Sequence, residues 1–87
     1  MNKILHLVVT YYWFDKFVNG EKDEEYREIT PRWEKRFKNE FTHLCLHRGY
    51  TNETLSFEIE SIRKGKPKPG MAPAEWMDKE LFVIKGR

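Results

Sequence analysis

At 87 residues the chain has room for one domain, 1–87, and a domain of this size buries only roughly 60–65% of the surface its unfolded form exposes, which excludes a thick core. The composition is 34% charged against 39% hydrophobic, yet six Phe, four Tyr and three Trp exclude a disordered chain. The net charge of +2 is too small to imply nucleic acid by itself, but its distribution is uneven: residues 21–28 are acidic, and residues 32–38 and 63–68 are basic.

One cysteine, Cys45, excludes an internal disulfide and suits a reducing compartment. No apolar run approaches membrane-span length, and the start MNKILHLVVTYYW has neither a long apolar core nor a small-residue cleavage site. A cytoplasmic protein without membrane association is expected.

KILHLVVT alternates around Leu5, Leu7 and Val9 and predicts a first strand, placed centrally. Thr10 then caps a short helix in which Trp13 and Phe17, and Phe14 and Val18, stand four apart. Trp13, Phe14 and Phe17 are expected in the core, and Gly20 ends the helix in a left-handed conformation. Residues 22–29 lack a helical stripe and predict a second strand, with Lys22, Glu24, Tyr26 and Glu28 on one face and Asp23, Glu25, Arg27 and Ile29 on the other. Glu21, Asp23, Glu24 and Glu28 are expected to form a solvated edge.

TPRWEKRF predicts a short basic helix, with Thr30 as its cap and Pro31 at its first position. THLCLHRGY and TLSFEIESIRK predict a hairpin that turns at RGYTNE, with Leu44, Leu46, Leu55, Phe57 and Ile59 inward. A Lys/Pro/Gly loop follows, and the path of residues 64–78 decides whether it covers the site. KELFVIKG is the last strand. Five strands in so short a chain cover their faces most economically by curling into a small α+β barrel with the two helices across its openings.

Strand, short helix, WFDKFVNGEKDEEYRE, Pro-led helix and terminal FVIK strand together resemble the ASCH domain family of the PUA-like superfamily, of the small phage and bacterial type. The motif that carries the resemblance is G-x-K-x-x-E-x-R, present as Gly20, Lys22, Glu25 and Arg27; EYREITPRW and HRGY add to it. The resemblance implies a five-stranded PUA-like barrel and a cleft at its mouth that binds single-stranded RNA or a modified nucleotide or nucleoside.

In such a cleft Lys22 would meet a phosphate, Glu25 would accept from an exocyclic amino group, and Arg27 would donate to a carbonyl or phosphate. Tyr26, Trp33 and Tyr50 offer stacking surfaces, and Arg48 of HRGY joins the candidate contacts. Arg32, Lys35 and Arg36 of the basic helix and the loop residues Lys64, Lys66 and Lys68 would lend electrostatic support. The competing account of Glu25 and Arg27 is an ion pair that fastens the strand to its surroundings.

Some small ASCH proteins are amidohydrolases that deacetylate N4-acetylcytidine, with a motif G-x-K-x-x-T-x-R. Glu25 stands here where they have threonine, so hydrolysis would have to run on Lys22 and Glu25. A protein-interaction module that uses the basic helix is the third reading. No cofactor is expected. No metal is expected either: His43, Cys45 and His47 share one strand face, but a straight strand spaces alternate residues about 6.6 Å apart, and no fourth ligand is evident.

Overall fold

The computed structural model describes residues 3–87, so Met1 and Asn2 of the N-terminal stretch lie outside the described residues. The order of elements is β1 (Ile4–Val9), α1 (Tyr11–Val18), β2 (Glu24–Glu28), α2 (Pro31–Arg36), β3 (His43–Arg48), β4 (Thr54–Gly65), a 3-10 turn (Ala74–Trp76) and β5 (Leu81–Gly86). Local chemistry explains several boundaries. Gly20 has φ +77°, which a side chain would strain, and the amides of Glu21 and Lys22 both close onto the Lys16 carbonyl there. The Thr30 hydroxyl accepts from the Trp33 amide, and Pro31 opens α2 without an amide to satisfy.

The strands form one mixed five-stranded sheet in the order β1-β3-β4-β5-β2, an α+β fold. β1 runs parallel to β3, and the other three pairings are antiparallel. The register of β4 shifts between Ile59 and Ser61, so its first half pairs with β3 and its second half with β5. Such an irregularity bends a strand and re-aims it.

Two expectations are corrected. β1 is an outer strand rather than a central one: Leu5, Leu7 and Val9 are buried while Ile4, His6 and Val8 face outward. That strict alternation belongs to a strand covered on one face, whereas Leu81–Ile84 of β5 are buried throughout because both faces are covered. The sheet is also open, since among the described residues no ladder joins β1 to β2. A side chain crosses the gap instead, with Arg27 Nη2 donating to the Val8 carbonyl at 3.0 Å.

Two apolar clusters follow. Leu5, Leu7, Leu44, Leu46, Phe14 and Phe17 are the centre of the larger one, where α1 lies against the sheet. The smaller one gathers Tyr26, Leu81, Val83 and Ala72, with Met71, Trp76 and Met77 packed on it. This second cluster explains how the segment after β4 is held: it is laid down over β2 and β5 by its own apolar residues.

Candidate functional site

The gap between the outer strands contains a cavity of about 210 Å³. β1 contributes Val8 and Val9, the start of α1 contributes Thr10 and Trp13, and the β2 region contributes Lys22, Glu25, Tyr26 and Arg27. Ala72, Pro73 and Trp76 of the segment after β4 form the remaining wall. That segment therefore borders the site and leaves it open to one side.

Lys22 lies in the turn before β2, so it does not follow the strand's alternation. Its side chain reaches back to the Glu25 carboxylate at 3.6 Å and donates to the Met71 carbonyl at 2.6 Å. The Trp13 and Tyr26 rings lie 4.3 and 4.8 Å from Nζ. Lys22 is only 5% exposed and does not project as a free cation, because these rings and the two acceptors enclose it. Burial pushes its ammonium below the ordinary 10.5, and Glu25 partly offsets the shift.

Glu25, 4% exposed, is shared by two cations: Arg27 Nη1 donates to its second oxygen at 2.7 Å. The same Nη1 bonds the Tyr26 carbonyl at 3.0 Å while Nη2 holds β1. Two positive groups against one carboxylate leave the pocket floor with a net positive charge. Among the described residues, no buried side-chain nitrogen or oxygen lacks a partner. The polar floor is thus preorganised by its own bonds, with rigid apolar walls around it.

A second network lies behind β2. Glu24 was expected on a solvated edge, yet it is 3% exposed and accepts from the Tyr26 hydroxyl at 2.8 Å and from Arg63 at 3.3 Å. The Tyr26 oxygen in turn accepts from the Lys68 amide at 3.0 Å. Burial, together with the Glu24 carboxylate, pushes the Tyr26 phenol well above its ordinary value. Asp23, by contrast, is exposed and pairs with Lys68 Nζ at 2.8 Å, as Glu28 does with Lys79. These contacts tie both ends of the covering segment to β2.

Lys22, Glu25, Tyr26 and Arg27 line one cavity, while the other expected contacts lie elsewhere. Trp33 is half-buried, stacked on Phe37 and ringed by the guanidinium groups of Arg27, Arg32 and Arg36 at 5.3–5.8 Å, and it does not line the pocket. Arg48 bonds Asp15 and Glu53 and lies over Tyr11 at 4.3 Å. Tyr50, 98% exposed, lines a shallow depression with Thr10, Tyr11 and Tyr12. Thr10 belongs to both hollows, so the depression adjoins the pocket.

Among the supporting cations, Lys64 is committed to Glu34 at 2.8 Å and Lys68 to Asp23. Among the described residues, no ion pair involves Arg32, Lys35, Arg36 or Lys66. Trp13 and Trp76 are the aromatic pocket residues that the sequence does not assign to a ligand. Trp13 read as core because it shares a helical stripe with Phe17; a signal for Trp76 was its place beside a Pro/Gly loop.

The pocket itself offers no set of three metal-ligating side chains. Among the described residues such a set occurs on the outer face of the sheet, where His6, Cys45 and His47 meet. His43 does not join them; its ring instead hydrogen-bonds the Thr42 hydroxyl at 2.8 Å.

In comparisons with family models, curated proteins and solved structures, nothing matches the chain.

Proposed function

We propose that the protein is a cytoplasmic, PUA-like module of ASCH type that binds single-stranded RNA or a modified nucleotide by taking one base into the pocket between β1 and β2. The observation that carries this reading is the convergence of Lys22, Glu25 and Arg27 with Trp13 and Trp76 on one cavity. A volume of about 210 Å³ lies below the roughly 300–1,000 Å³ of drug-sized sites, which suits a single planar heterocycle. Indole walls offer it stacking, and the cationic floor offers donors to a base carbonyl. Arg27 bridging the outer strands supports the PUA-like assignment, because it brings the two edges of a curled sheet together at the mouth.

The neighbouring depression favours a strand over a free nucleoside. Tyr11, Tyr12 and Tyr50 are exposed beside the pocket and offer stacking to an adjacent base, and Arg32 and Lys35 of α2 are exposed to meet phosphates. A second reading, an amidohydrolase acting on an acylated nucleoside such as N4-acetylcytidine, is favoured by one feature: the ammonium of Lys22, lowered by burial, stands beside the Glu25 carboxylate. The Met71 carbonyl already holds that nitrogen as a donor and the Glu25 carboxylate pairs with its charge, so binding is the stronger reading.

Titration of short mixed-sequence single-stranded RNA, followed by tryptophan fluorescence, tests the proposal. Wild type should bind with a salt dependence of roughly two to four phosphate contacts. Lys22→Met should weaken binding at least about tenfold with its circular dichroism unchanged. No response at low salt, or equal binding by the variant, would overturn it. Loss of an acetyl mass from N4-acetylcytidine would move the assignment to the hydrolase.

A further inference from the structure

On the sheet face turned away from Leu5 and Leu44, β1 and β3 run parallel with His6 opposite Cys45 and Val8 opposite His47. His47 is therefore the diagonal neighbour of His6, and the strand pairing brings His6 to Cys45 and His47, about forty residues away in the sequence. His6 Nδ1 and His47 Nε2 are 3.0 Å apart, Cys45 Sγ is 3.8 Å from the same Nε2, and all three atoms lie within 4.8 Å of one another.

Ligand bonds of about 2.05 Å to nitrogen and 2.3 Å to sulfur, at tetrahedral angles, place two nitrogens about 3.3 Å apart and a nitrogen and sulfur about 3.5 Å apart. The observed 3.0 and 3.8 Å lie within about 0.3 Å of those values, and the remaining nitrogen–sulfur pair, within 4.8 Å, would close to about 3.5 Å on binding. A set of two imidazoles and one thiolate selects a borderline transition ion over magnesium or calcium. Cys45 is buried beneath the rings while His6 is exposed, so the open fourth position faces solvent.

We propose that His6, Cys45 and His47 form a binding site for one zinc-class divalent cation, with water as the fourth ligand. The hydrogen now shared between the two rings moves to a distal ring nitrogen, so each imidazole stays neutral and presents a lone pair. The thiol gives up its proton to solvent as the sulfur coordinates, so one proton is released per ion bound. The ion would also tie β1, paired by backbone only to β3, to its neighbour.

The test uses the full chain, without an oligohistidine tag and freed of metal with a chelator, titrated with Co²⁺. One equivalent should produce the visible bands of a tetrahedral ion and a thiolate charge-transfer band, and Zn²⁺ should abolish both. His6→Ala should weaken binding at least about tenfold, Cys45→Ser should remove the charge-transfer band, and His43→Ala should change nothing. His6 is exposed, so its variant keeps the test decisive if Cys45→Ser does not fold. No saturable spectrum, equal binding in His6→Ala, or loss of binding in His43→Ala would overturn the proposal.

Discussion

At Glu25 one carboxylate serves two cations, and each cation also bonds backbone: Lys22 the Met71 carbonyl, Arg27 the carbonyls of Tyr26 and Val8. Arg27 is a fork with three acceptors, the Glu25 carboxylate, the Tyr26 carbonyl and the Val8 carbonyl, and the last holds the free edge of β1. Removing it leaves a buried carboxylate with Lys22 alone and releases the edge. Arg27→Ala is therefore expected to lower the unfolding free energy by about 3 kcal/mol in a urea titration. Arg27→Lys should recover only part of that, because an ammonium cannot span three acceptors in one plane. A loss under about 1 kcal/mol would show that the guanidinium contributes little to folding. The same guanidinium also borders the cavity, where on the proposed reading it would meet the ligand.

Among the elements, the segment between β4 and β5 is packed over β2 and β5 by its apolar residues and tied near its ends by ion pairs. Asp23 is held below its ordinary 3.8 by the hydrogen bond from Lys68, and Lys68 is held above its ordinary 10.5 by the same bond. The stability from Asp23 is present above pH 3.8 and is lost as the pH falls through the lower folded value. The share from Lys68 is present below pH 10.5 and is lost as the pH rises through its higher folded value. Urea midpoints measured between about pH 5 and 2.5 should fall less steeply in Asp23→Asn than in wild type. Identical slopes would show that the pair does not hold the segment.

The same elements show what a sequence can disclose. The Thr30-Pro31 start and the Gly20 stop depend on backbone groups a few residues away, so they were legible. The KELFVIKG run disclosed the last strand, while its burial on both faces is seen only in the structure. The burial of Glu24 depends on Arg63, 39 residues distant, and that of Lys22 on the Met71 carbonyl, 49 residues distant. Nothing local distinguishes these two residues from their exposed neighbours in the charge run. The position of β1 at the sheet edge likewise depends on which strand it pairs with, which alternation alone does not specify.

Taken as a whole, the molecule spends little of its length on a core and leaves a polar, aromatic-walled opening where its sheet stops short of closing. The open edge and the pocket are one feature: the gap that Arg27 spans is the gap that a base would enter. His6, Cys45 and His47 lie on the outer sheet surface, outside the set of residues that line this opening.

The three tryptophans divide in a way that tests the central claim directly. Trp13 and Trp76 line the pocket, whereas Trp33 does not and is stacked on Phe37. Indole N–H resonances, assigned with single Trp→Phe variants, should be followed by heteronuclear NMR while single-stranded RNA is added at low salt. The account predicts that the Trp13 and Trp76 signals move in a saturable manner while the Trp33 signal moves least. Movement led by Trp33, or confined to amides of α2 with both pocket indoles still, would contradict binding in the pocket.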